Sequence, residues 1–314
     1  MKKLLTLFLL LISITLVGCN SGESKNSNED SGKLQVYTTV YPLQYFTEEI
    51  GKEFVTVETI YPPGSDEHTF EPSQKDMMKL ADSDLFIYVG LGLEGFVNKA
   101  KQTLENEDVN FLAAGENIIG LESNEQENGH DDEEHGDHDH GDMDPHVWVD
   151  PLYARDLAEA IKDELIRQIP ENKDEFEQNY ATLAAKLDQL HTEFQNLVQN
   201  AKHKEFIVSH AAYGYWEQRY GLEQISISGI ASSSEPTQKQ LKKIISEAKE
   251  HNLNYIFFEQ NVSSKLSEIV QEELNAEPLL LHNLSVLTEE DIEKNRTYFS
   301  IMEDNLKAIA TGTK

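Results

Sequence analysis

Residues 171–202 read ENKDEFEQNYATLAAKLDQLHTEFQNLVQNAK, and this run decides the architecture. Phe176, Tyr180, Leu183, Leu187, Leu190, Phe194 and Leu197 recur in steps of four and three. That spacing lays one continuous apolar stripe along a helix. At 1.5 Å per residue the helix is about 45 Å long. It can serve as a rigid spine behind two lobes or as one strand of a coiled-coil dimer. Two lobes needing a common backing make the spine the simpler use.

Those lobes show in the alternation on either side. β-branched and aromatic runs at 34–40, 55–61, 85–90 and 109–114 predict strands, separated by helical stretches at 42–51, 73–81 and 93–105. After the spine the pattern repeats, with strands at 205–210, 224–228, 255–259 and 278–282. Helices are expected there at 212–220, 236–252, 263–275 and 289–311. Such alternation implies parallel sheets covered by helices. The expected fold is α/β, with two parallel-sheet lobes joined by one long rigid helix. The expected domains are a first lobe at 33–170, the bridging helix at 171–203 and a second lobe at 204–314.

The amino-terminal residues speak to location. Lys2 and Lys3 precede an apolar stretch from Leu4 to Val17, interrupted only by Ser13 and Thr15. It is too short for a membrane span and reads as a secretory signal core, residues 1–18. Leu16-Val17-Gly18-Cys19 is a lipobox, with Cys19 as the lipidation site and 19–32 as a polar tether. The folded part is then expected outside the cytoplasm, held to the cell membrane by lipid alone. Cys19 is the only cysteine, so disulfides and thiolate ligands are excluded. A formal net charge of −31 argues against nucleic acid as a partner and suits cations. Residues 122–144 are almost all Glu, Asp, Gly, Asn and His, a composition that buries no core and predicts a mobile loop.

Three segments carry chemistry. Tyr61-Pro62-Pro63-Gly64-Ser65-Asp66-Glu67-His68-Thr69-Phe70-Glu71-Pro72 follows a predicted strand, with His68 at the tip of a proline-stiffened loop. Asp144-Pro145-His146-Val147-Trp148-Val149-Asp150-Pro151 is a rigid turn around one histidine, just before the spine. Val208-Ser209-His210 ends the first strand of the second half. Ligand sites in open α/β sheets gather beyond the carboxyl ends of strands. Three imidazoles brought there suit zinc. His191, His203, His251 and His282 lack such a context and read as structural or solvated. No His-Glu-x-x-His metallohydrolase motif and no P-loop occurs, so neither a zinc hydrolase nor an ATPase is indicated.

With these motifs in place, the chain resembles the metal-specific solute-binding lipoproteins of bacterial ABC importers, particularly the zinc members. Glu235-Pro236 and Tyr255-Ile256-Phe257-Phe258-Glu259 add to the likeness, which runs from Leu34 to Thr311. The resemblance implies a zinc ion in the cleft between the lobes, with His68, His146 and His210 as ligands. It further implies a monomer that delivers zinc to a membrane permease driven by a cytoplasmic ATPase. The alternative it leaves open is manganese or another divalent ion, with an adhesin role. Zinc members often carry an acidic, histidine-rich loop, matched here by His130, His135, His138 and His140 as accessory metal residues. Many members place a carboxylate ligand after the last strand, where this chain has Ser285. The expectation is then a three-histidine site with an exchangeable fourth position, taken first by water, next by Glu67 and, least favoured, by His282, while Glu259 is a weaker candidate or serves to orient a ligand histidine.

Overall fold

Two sheets of identical topology organise the chain. A computed structural model describes residues 32–116, 118, 143–261 and 264–314. The signal segment, Cys19, the tether and the loop histidines His130, His135, His138 and His140 lie outside the described residues. In the first half β1 (Leu34–Thr38), α1 (Tyr41–Gly51), β2 (Val55–Thr59), α2 (Gln74–Ala81), β3 (Leu85–Tyr88), α3 (Val97–Thr103) and β4 (Asn110–Ala113) follow one another. Then come two helices, α4 (Pro151–Gln168) and α5 (Lys173–Asn200). The second half comprises β5 (Glu205–His210), α6 (Gly214–Tyr220), β6 (Glu223–Ser228), α7 (Gln238–Glu250), β7 (Tyr255–Phe258), α8 (Lys265–Leu274) and β8 (Glu277–Leu280). It closes with α9 (Glu289–Glu293) and α10 (Tyr298–Gly312). The sheets run β2-β1-β3-β4 and β6-β5-β7-β8, and every pairing is parallel. In each, the chain moves outward in opposite directions from its two central strands. That makes the carboxyl ends of those strands the natural place for a site.

The spine is present as α5, 28 residues long, with Phe176, Leu183, Leu187, Leu190, Phe194 and Val198 buried along one face. It grips both halves. Near its start Asn179 donates from Nδ2 to the Ile50 carbonyl at the end of α1 (3.0 Å). Near its end the Phe194 ring packs on Trp216 and Tyr220 of α6 at 4.9 and 5.1 Å. One apolar core runs from Val36 and Phe86 in the first half through α4 and α5 to Phe206 and Phe257 in the second. A continuous core resists hinge motion, because close-packed interiors deform little.

Three local expectations need correction. The 18-residue α4 starts at Pro151, where the sequence pattern indicates only a turn. Asp150 in fact caps the helix, accepting from the Leu152 and Tyr153 amides, with Pro151 in the first turn. Its buried face uses Ala154 and Ala158 beside Leu157, Ile161 and Leu165, and the small residues mute the periodic signal. The helix expected at 289–311 is broken, because Asn295 takes a left-handed φ of 51° and Thr297 caps α10 afresh. The helix expected at 93–105 starts only at Val97. Glu94 is held back by the amides of Val89 and Gly90 and the Thr39 hydroxyl, which fixes a turn there instead.

Candidate metal centre

Two loops and one strand end bring the three histidines together. The first loop leaves β2 through Pro62 and Pro63 and turns at Gly64, whose φ of +71° is one that L side chains rarely adopt. The Gly64 amide donates to the Leu287 carbonyl of the second half (3.0 Å). Asp66 accepts the His68 amide on Oδ1 (2.9 Å), which sets the bend that presents the His68 ring. The second loop repeats the device, for Asp144 accepts the His146 amide on Oδ1 (3.0 Å). Its wedge is Trp148, fully buried, donating from Nε1 to the Asn283 carbonyl (2.7 Å). Trp216 donates to the Val149 carbonyl (2.9 Å), so the turn is clamped from the second half. His210 needs no loop, because it is the last residue of β5, and the parallel pairing with Ser228 fixes its direction.

The ring nitrogens then converge. His146 Nε2 lies 3.2 Å from His68 Nε2 and 3.4 Å from His210 Nε2. Two nitrogens each ~2.0–2.1 Å from a tetrahedral zinc ion sit about 3.3–3.4 Å apart. These two edges therefore have the dimensions of a zinc coordination shell. Facing lone pairs at that distance also demand a proton or cation between them. Behind the rings, carboxylates hold the other nitrogens. Asp144 Oδ1 is 2.7 Å from His146 Nδ1, and Glu259 Oε1 is 2.7 Å from His210 Nδ1. The Asp144 hydrogen bond keeps the hydrogen on His146 Nδ1 and leaves its Nε2 free to ligate, while Glu259 meets His210 Nδ1 as a close charge contact. Gly214 makes room for the Asp144 group, since a β-carbon on it would lie 2.8 Å from Asp144 Oδ2.

Glu67 completes a four-residue cluster with His68, His146 and His210, its candidate ligand atom within 4.8 Å of theirs. Its Oε1 is 3.9 Å from His68 Nε2, somewhat longer than a coordination edge. Asn283 and Asn261 hold the carboxylate by donating to Oε1 (3.4 Å) and Oε2 (3.3 Å). His282 does not reach the cluster. Its Nδ1 accepts the Leu284 amide (2.9 Å) and its Nε2 faces Asp291 Oδ2 (3.3 Å), so the option of His282 as fourth ligand is withdrawn. Ser285 is fully buried and gives its hydroxyl to Asn283 Oδ1 (2.9 Å). His191 pairs with the Tyr220 hydroxyl and His251 with Glu205, both away from the cluster.

A family model described as ZnuA, zinc-uptake complex component A, periplasmic, matches residues 36–312. The chain belongs to this family. It is 36% identical over 310 residues to the high-affinity zinc uptake system protein ZnuA of Bacillus subtilis, covering 98% of this chain and 97% of the relative. It is 35% identical over 313 residues to the zinc-binding lipoprotein AdcA of Streptococcus pneumoniae, across its whole length but only 61% of the relative's. The crystal structure of the Zn(II)-bound ZnuA-like domain of that AdcA superposes with a TM-score of 0.74 at 34% identity, over 90% of this chain and 99% of that domain.

Within this ZnuA frame the electrostatics divide the ligand set. Burial, then the proximity of His146 and His210, pulls His68 down to about 4, so its ring is neutral. Burial also pulls on His210, but the charge and hydrogen bond of Glu259, with Glu67 behind, outweigh it and push His210 up. Glu67 is pushed up by burial. Two buried carboxylates, Glu67 beside the ring nitrogens and Glu259 behind His210, thus lie against three imidazoles, and a divalent cation is the species that neutralises both. Asp66, Asn261 and Asn283 carry no signal of their own in the sequence, and Asp144 reads only as the border between the acidic stretch and the His146 turn. The repeated Asp-x-His spacing, Asp66 to His68 and Asp144 to His146, is the signal that would have found two of them.

Proposed function

We propose that this protein captures a zinc ion outside the cytoplasm through His68, His146 and His210, with Glu67 as fourth ligand, and hands it to an ABC permease. The observation that carries the reading is the pair of Nε2 edges at 3.2 and 3.4 Å, each ring backed by its own loop or strand. The ZnuA family and the zinc named for its relatives support it. Zinc is cargo here: the protein binds and releases it and catalyses nothing. Cys19 anchors the chain by lipid, the tether 19–32 gives it reach, and the protein works as a monomer. His130, His135, His138 and His140 add weak accessory sites apart from the tight one.

Native mass spectrometry with elemental analysis tests the reading. One tightly held zinc per chain that manganese does not displace is expected. Preferential retention of manganese, or no metal at all, would refute it. Glu67 is tested separately. Glu67 Oε1 lies 3.9 Å from His68 Nε2, at the outer edge of the shell where water can take its place, so Glu67→Ala is expected to weaken zinc binding less than loss of a histidine, by about 10–100-fold, while keeping the one-to-one stoichiometry. Wild-type affinity in that variant would return the fourth position to water.

A further inference from the structure

His68 is the most exposed ligand, with 9% of its side chain accessible against 0% for His146 and His210. It also rides on a loop from an edge strand, whereas His210 is locked in a sheet. Release of an ion held by all three begins most easily with withdrawal of His68. What restrains its loop therefore governs how long the ion stays.

One restraint comes from the irregular segment after β6. There the Ser232 hydroxyl donates to Asp66 Oδ2 at 2.6 Å, joining residues 166 positions apart. Asp66 is the residue whose other carboxylate oxygen, Oδ1, accepts the His68 amide. The Ser232 segment is fixed at its base, for Ala211, directly after His210, donates to the Gly229 carbonyl (3.2 Å), and Gly229 donates to the Ser234 carbonyl (3.0 Å). The short segment 229–234, anchored next to His210 through the Ala211 amide, therefore reaches through the Ser232 hydroxyl to Asp66, and Asp66 in turn holds the His68 amide. Asn261 adds a second tie from the same half, donating to the Ser65 carbonyl (3.1 Å). A hydroxyl donating to a carboxylate at this distance is a charge-assisted bond of the strong class.

We infer that Ser232 is a positioning residue: its hydroxyl latches the loop bearing Glu67 and His68 to the second half and slows escape of the bound ion. The inference rests on the zinc reading above. The latch acts on the release step because withdrawing the His68 loop from the second half requires this bond to break.

The test is stopped-flow release of zinc from the loaded full-length protein into an excess of chelating dye, with association measured in parallel. Ser232→Ala is expected to release zinc about tenfold faster, the scale of one charge-assisted hydrogen bond, with association and stoichiometry unchanged. Ser232→Thr, which retains the hydroxyl, restores slow release. Ser233→Ala on the same segment behaves as wild type, and all variants melt alike without metal. Release from Ser232→Ala at the wild-type rate, or equal acceleration by Ser233→Ala, overturns the latch and leaves zinc capture intact. A wild-type protein that takes up no zinc overturns both.

Discussion

Replacing His146 by Ala is expected to weaken zinc binding by more than about a hundredfold, beyond the 10–100-fold typical of residues that merely support a ligand. His146 is the central member, the one whose Nε2 lies 3.2 Å from His68 and 3.4 Å from His210. Its loss removes one ligand and both short edges, and the fully buried turn that carries it cannot supply a substitute. His210→Ala should come close, because β5 holds that side chain rigidly, and removal strands Glu259 as a buried carboxylate without its partner. His68→Ala is expected to be the mildest of the three, since solvent can reach the space it leaves. Calorimetry against a competing chelator gives the ranking. Near wild-type affinity in any one of the variants removes that residue from the shell, and a reversed order would mean that the exposed loop dominates the site.

Much of this cluster is legible in the sequence because its three histidines occupy positions with a strong local signature. His210 ends a β-branched strand, and the prolines around His68 and His146 announce fixed turns. The spine was legible for the same reason, since its stripe of large apolar residues has no competing period. What escaped was whatever depends on partners distant in the chain. Asn283 reads as an ordinary loop residue, yet it is fully buried and its amide donates to Glu259 (3.1 Å) and Glu67 (3.4 Å), the latter 216 positions away. No window of sequence contains that pairing. His282 shows the converse. Beside the expected fourth position it looks available, but the Leu284 amide and Asp291 occupy both ring nitrogens. The α4 helix escaped for a local reason, its alanine-rich face, although its cap and first-turn proline were in plain view.

Acid is expected to release the ion, beginning on the neutral side of histidine's ordinary range. Zinc takes only neutral imidazole, so a proton on the coordinating atom of a ligand in the free protein must leave on binding. His68 is already neutral down to about 4 and contributes no pH dependence above that. His210 differs in sign. With its group raised above its ordinary 6.5 it stays protonated further toward neutrality, so affinity is full only above the raised value and falls as pH drops through it. Glu67, raised above its ordinary 4.5, adds a second proton at lower pH and steepens the loss. Binding should therefore draw a proton from His210 near neutrality and a further one from Glu67 in milder to stronger acid. Calorimetry in buffers of different ionisation enthalpy counts these protons directly. Glu259→Gln removes the charge that raises His210, so the acid limb should move to lower pH. The same change loosens the His210 ring and lowers the plateau affinity by about 10–100-fold. An affinity that stays flat between about pH 8 and pH 6 in the wild type would mean that His210 carries no proton to displace. An acid limb unmoved in Glu259→Gln would mean that something other than this carboxylate sets it.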